Sequence, residues 1–164
     1  MTQKRPVTAT KTFFGDGEYW FHLPLKRITE FEQRFGRRDR DGFLRPKSIL
    51  MTFTEVSDAI NVTGERVVWI GGSDVLPAEL NEVIRLGLIG GNEGPDHGEG
   101  TEVGPQRAGR LVDHYGYPAR PIEEVAAVAL RILHAVVHGD PQAMEAEREA
   151  KAVSGDSATP AGDG

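Results

Sequence analysis

Apolar and polar positions alternate, then recur at helical spacing, in a clear order along the chain. In "KTFFGDGEYWFHL", Lys11 to Leu23, two aromatic-rich runs flank Gly15-Asp16-Gly17, the composition of a β-hairpin whose turn needs positive φ. Tyr19, Phe21 and Leu23 then share one face. Pro24 suits a first helical position, and Leu25, Ile28, Phe31 and Phe35 recur at steps of three and four before Gly36, a natural stop. "RRDRDGFLRPK", Arg37 to Lys47, reads as an exposed loop. Ser48 to Ile60 fits a helix, although "ILMTFT" also has strand character. "ERVVWIGG" predicts a short strand ending in glycines.

A second helix should begin near Ser73 or Asp74, with Glu79 and Glu82 near its positive end and Leu76, Leu80, Val83, Ile84 and Leu88 as its stripe. It closes in "RLGLIGGNEG", Arg85 to Gly94. After a glycine-rich acidic loop, Ala108, Leu111, Val112 and Tyr115 define a short helix closed by Gly116. The longest periodic segment runs from Pro121 to His138, its stripe being Ile122, Val125, Ala126, Ala129, Ile132, Leu133 and Val136, with Gly139 as stop. The pattern predicts an α+β protein, mainly α: a flexible arm over residues 1–9, one domain over 10–139 led by the hairpin, and a marginal helix with a disordered tail over 140–164.

"RLGLIGGNEG" has the glycines of a phosphate-binding loop in the wrong place. Such loops follow a strand and open a helix, so that N–H groups face the anion. Here they end a helix at its negative pole and precede Glu93, Asp96, Glu99 and Glu102. A cap at Gly90 or Gly91 and close packing at Gly87 are the expected roles. That acidic loop lacks the ligand order of an EF-hand. His134 and His138 stand four apart, as zinc ligands can, with Asp113 and His114 as possible additions, but the helical wheel puts both on the polar side with Glu124, Ala127 and Arg131. "HAVVH" lacks the glutamate base of metalloproteases, and no serine sits in a nucleophile-elbow motif. No catalytic residue, metal or cofactor is therefore expected. A small metal-binding enzyme is kept as a secondary reading.

Apolar positions outside the stripes are more informative. Leu86 and Ile89 fall on the face of Glu79 and Glu82, away from their helix's stripe, while Val128 and Leu130 widen the stripe of the last helix on both sides. These four residues are the expected partner contacts. Charge narrows the partner further. The net charge is −6 over 164 residues, which disfavours nucleic acid and anionic membranes as partners. Arg34, Arg37, Arg38, Arg40, Arg45 and Lys47 form a basic stretch beside Phe43, yet Asp39 and Asp41 interrupt it. The chain has no cysteine, and its longest apolar run is Val125 to Leu130, so a cytoplasmic protein without a secretory signal or membrane span is expected.

The hairpin leading into "PLKRITEFEQRFG", then "ELNEVIRLGLIGGN", then "RLVDHYGYPARPIEEVAAVALRILHAVVHG" resembles the gene-transfer-agent family of small phage-tail proteins, grouped with tail assembly chaperones. "IRLGLIGG", Ile84 to Gly91, is the most specific part, and the resemblance covers most of residues 11–139. Asn92 stands where the family commonly has a third glycine, and the segments Arg37 to Ser73 and Asn92 to Arg107 are longer than the family pattern. The resemblance implies a non-enzymatic assembly factor that self-associates, binds the tape-measure protein and helps the major tail-tube protein polymerise around it. A structural minor tail component is the alternative within the same family.

Overall fold

The computed structural model describes residues 4–156. In chain order the elements are β1 (Thr10–Phe14), β2 (Gly17–Phe21), α1 (Leu25–Arg34), β3 (Arg37–Arg38), β4 (Leu44–Arg45), α2 (Ile49–Ala59), β5 (Ile60–Thr63), β6 (Arg66–Trp69), α3 (Pro77–Gly91), α4 (Pro105–Tyr115), α5 (Ile122–His138) and α6 (Pro141–Asp156). Each sheet is a single antiparallel hairpin, β1 with β2, β3 with β4 and β5 with β6. The fold is mixed α+β with an N-terminal hairpin followed mainly by helices, as the pattern predicts.

β1 and β2 turn through Gly15 and Asp16, with Gly15 at φ +65°. A side chain is excluded there twice over, because a Cβ on Gly15 would stand 2.2 Å from the Tyr115 ring. Tyr19, Phe21 and Leu23 are buried on the inner face. In α2 the choice between helix and strand is made by spacing: Ile49, Thr52, Val56 and Ala59 are its buried positions, at steps of three and four. The Ser48 hydroxyl caps it by accepting from Leu50 N at 3.2 Å.

Helix α3 is the centre of the molecule, packed by α1, α4, α5 and β2. It starts at Pro77, later than the expected Ser73 or Asp74, because extended Leu76 is the cap and Glu79 accepts from the Leu76 N–H at 2.8 Å. Its glycines receive β2. A Cβ on Gly90 would stand 1.9 Å from the His22 carbonyl oxygen, and one on Gly91 1.9 Å from that of Trp20. Gly87 packs against Phe21 and Ile132, and its carbonyl accepts from His22 N at 3.0 Å. The cap falls on Asn92, in the left-handed region at φ 51°, rather than on Gly90 or Gly91. Asn92 thus holds the conformation that glycine adopts most easily.

Five expectations are revised. The arm is docked from Arg5 onward: Ala9 is buried, Asp140 N donates to Val7 O at 2.7 Å, and the Arg5 guanidinium lies 4.5 Å over the Trp20 ring. "RRDRDGFLRPK" contains the short β3–β4 hairpin, with Asp39 Oδ1 accepting from Asp41 N and Phe43 N to shape its turn. "ERVVWIGG" supplies β6, whose partner β5 was not expected. Leu25 and Leu76, placed on apolar stripes, are 78% and 54% exposed, because each stands at or before the first residue of its helix. The expected tail from Ser154 begins inside α6, and residues 157–164 lie outside the described residues.

Candidate partner-binding surface

Of the four expected contact residues, Leu86 is a correction. It is fully buried, and the face it shares with Glu79 and Glu82 is covered by neighbouring elements. Arg34, at the end of α1, reaches Glu82 at 2.5 Å, and Arg85 clamps the same carboxylate through Nε at 2.9 Å and Nη2 at 2.6 Å. Lys47 reaches Glu79 at 2.5 Å and Glu55 at 2.8 Å, while Thr52 of α2 donates to Glu79 at 3.1 Å. Carboxylates on a polar-looking face can be taken inside once each oxygen finds a cation or donor. Ile89 is half-buried and packs on the core.

The ion pairs of Lys47 border a cleft of about 380 Å³ in which Arg37, Arg45 and Lys47 meet Glu55, Asp74 and Glu79. Its charges balance, and the Glu79 oxygens are already occupied by Leu76 N, Thr52 and Lys47. Burial pulls the Lys47 ammonium down, but bonds to Glu55 and Glu79 outweigh it and hold its pKa above the usual lysine value. For Glu82 burial pushes the carboxyl up, and Arg85 followed by Arg34 more than offsets this, leaving it below the usual carboxylate range. Both groups are charged at neutral pH and serve as struts.

Val128 and Leu130 have a different fate. Like Ile89 both are half-buried and pack on the core, but each also lines a groove on a flank of α5. The first groove, about 380 Å³, lies between the β1 turn and α5, with Phe13, Tyr115, Val125 and Val128 as walls and the Arg120–Glu124 pair at its rim. The second, about 300 Å³, lies beside Thr10 and is walled by Ala127, Leu130, Arg131, His134 and Pro141. Phe13 is 62% exposed. The sequence reading did not single it out; its signal is that it alternates with buried Phe14 and so must face outward when Phe14 faces in.

The metal-ligand candidates are dispersed. His134 and His138 are exposed, with ring centroids 4.8 Å apart, and Phe53 makes edge contacts with both. In the acidic loop Glu93 pairs with Arg5, Glu99 with Arg110, and Asp96 accepts from Gly98 N. Among the described residues no three His, Asp or Glu side chains converge to hold a metal ion. The loop is organised instead by Arg107, nearly buried, which donates to the carbonyls of Pro95, Gly100 and Glu102 at 2.7 to 2.9 Å. Sequence reasoning missed that role. In the basic stretch Arg34 and Lys47 are consumed by Glu82 and Glu79, and Arg45 by Asp39 at 3.1 Å, leaving Arg37 and Arg40 exposed beside Phe43. No helix among the described residues is long and apolar enough to cross a membrane. Comparison with known proteins adds no relative: no family model matches the chain, and no curated protein or solved structure does either.

Proposed function

We propose that this protein is a tail assembly factor of a phage-like particle that binds the tape-measure protein and assists assembly of the tail tube. The motif resemblance over residues 11–139 names the partners. The observation that carries a binding role is the pair of α5 grooves lined by Val128 and Leu130, which present apolar walls at the surface beside exposed Phe13. Buried carboxylates that in another setting would suggest acid–base chemistry are bonded within the fold, Glu79 to Lys47, Thr52 and the Leu76 N–H, Glu82 to Arg34 and Arg85, and Asp140 to Thr10 and the Ala143 N–H, a structural use.

The test is an affinity pull-down of the tagged full chain from cells producing the particle, with partners identified by mass spectrometry. Tape-measure and tail-tube proteins are expected with the wild type and strongly reduced with Phe13→Glu combined with Leu130→Asp, provided circular dichroism shows an intact fold. Recovery of this protein alone while tails are being built would overturn the reading.

A further inference from the structure

We propose that the outer edge of β1, with the flank of α5 beneath it, takes up an extended segment of another protein as an added strand, one that alternates apolar side chains and carries a carboxylate. The proposal rests on the preceding reading in taking the α5 grooves as the partner site, and adds how the partner is held.

The register of the hairpin exposes main-chain groups. Phe14 faces Gly17 across a two-residue turn, so Phe14, Thr12 and Thr10 exchange hydrogen bonds with β2, and Lys11 and Phe13 fall in the intervening non-hydrogen-bonded pairs. The N–H and C=O of Lys11 and Phe13 therefore point away from β2. On β2 the corresponding outward edge is closed from Trp20 onward: Trp20 N donates to Glu93 O at 2.9 Å and His22 N to Gly87 O at 3.0 Å. On β1 it is open. Among the described residues no hydrogen bond reaches the main chain of Lys11 or Phe13, and both residues are exposed. Folded proteins normally cover or shorten such an edge, because it is a template for another strand.

The ground beside that edge suits side chains from a strand. The groove at Phe13 and Val128 lies towards the turn end of β1, and the groove at Leu130 towards Thr10. Alternate residues of an added strand, about 6.8 Å apart, would point down towards α5 and the grooves at Val128 and Leu130 on its two sides. An incoming helix satisfies its own main chain and would leave Lys11 and Phe13 unmatched.

Charge selects the occupant. Arg120 and Glu124 neutralise each other at 2.7 Å, whereas Arg131 has no ion-pair partner among the described residues and Lys11 has only Glu18 at 3.7 Å. The lining of the two grooves holds no carboxylate besides the paired Glu124. A second copy of this chain would bring its own Lys11 and Arg131 to the same edge, like against like. A foreign segment with an acidic residue removes that repulsion and gives Arg131 a partner.

The experiment uses fluorescein-labelled nine-residue peptides of alternating valine and threonine, with one position occupied in turn by Asp, Asn or Lys. Binding to the full chain is read by anisotropy and by amide shifts of Lys11 and Phe13. Asp peptides should bind about tenfold tighter than Lys peptides, and Arg131→Glu should invert the order. Phe13→Ala removes the exposed ring alone and Phe13→Pro removes the outward N–H as well, so the proline variant should bind about tenfold more weakly than the alanine variant, with the same thermal midpoint. Should that variant lose stability, the same question is put to wild-type protein with peptides N-methylated on alternate amides: one register should bind and the other should not. Absence of binding by every peptide, indifference to N-methylation in both registers, or preference for Lys would overturn the proposal. If pull-down recovers the tape-measure protein equally with Phe13→Pro, the edge proposal falls and the assembly reading stands. If pull-down fails while the peptides bind as expected, the reverse holds.

Discussion

Gly90→Ala should destabilise the protein, against the ordinary rule for a helix. Within a helix, replacing glycine by alanine normally gains about 0.5 to 1 kcal/mol, because glycine loses more backbone freedom on folding. At Gly90 the added Cβ would lie 1.9 Å from the His22 carbonyl oxygen, 2.9 Å from its carbonyl carbon and 2.9 Å from Pro24 Cδ. The obstacle is backbone, so no side-chain rotation relieves it. Either β2 lifts off α3, at the expense of the His22 N to Gly87 O bond at 3.0 Å, or α3 shifts against its other neighbours. Overpacking of this kind costs about 1 to 3 kcal/mol and a lost hydrogen bond about 0.5 to 1.5. Net of the propensity gain, a loss of about 0.5 to 4 kcal/mol is expected. Gly109→Ala is the internal control. It lies inside α4 with nothing within 4 Å of its added Cβ, so it should stabilise by about 0.5 to 1 kcal/mol. Urea unfolding followed by the fluorescence of Trp20 and Trp69 measures both, read as midpoint changes at constant slope. A Gly90→Ala protein as stable as the wild type, with Gly109→Ala behaving as stated, would refute the claim that these glycines exist for close approach to β2.

Three further outcomes follow from the core and the ion pairs. Leu86→Ala should cost about 2 to 5 kcal/mol by chemical denaturation, since Leu86 is fully buried; a change under 1 kcal/mol would restore it to the surface. Lys47→Met leaves Glu79 inside without its cation and should cost about 3 to 5 kcal/mol, whereas a neutral result in the same assay would mean that the Thr52 and Leu76 bonds suffice. Stability should also fall in acid: Glu82 has a folded pKa below its unfolded value near 4.5, so its contribution is complete above that value and is lost as pH falls through the folded pKa. Thermal midpoints of Glu82→Gln and wild type should therefore draw together as pH falls below 4.5 and through the folded pKa, and parallel curves would exclude Glu82 as a source of the acid limb.

Elements carried by local spacing were legible in the sequence. The turn at Gly15, the stripe of α5 and its stop at Gly139 are all decided within a few residues, by φ, period and the missing side chain of glycine. What could not be read depended on residues distant in sequence. Glu79 and Glu82 look like a solvated face until Lys47 and Arg34 arrive from the segment before α2 and from α1. With those cations in place the face closes, and Leu86 goes inside with it. Arg107 shows the same logic from the other side, as a charged helix residue whose acceptors are loop carbonyls with no distinctive residue type to announce them. Of the expected contact residues, Val128 and Leu130 line surface grooves because the widening of the α5 stripe exceeds what α2, α3 and β1 cover.

That excess is also why the two grooves lie where they do. The hairpin sits with β2 against α3 and β1 against α5, because glycines let β2 approach α3 at backbone distance. Close approach on that side closes the edge of β2 through Glu93 and Gly87. It also fixes the position of β1, which among the described residues has no second strand beyond it and has side chains of α5, with Tyr115 and Pro141, beneath its far edge. The same glycines that first suggest a phosphate loop therefore determine which strand edge remains open. A substitution at Gly90 or Gly91 that lifts β2 would move β1 with it and reshape the groove at Val128 without touching a groove residue. Loss of peptide binding in Gly90→Ala, at a temperature where the variant is still folded, would connect the packing of α3 to the binding surface on α5.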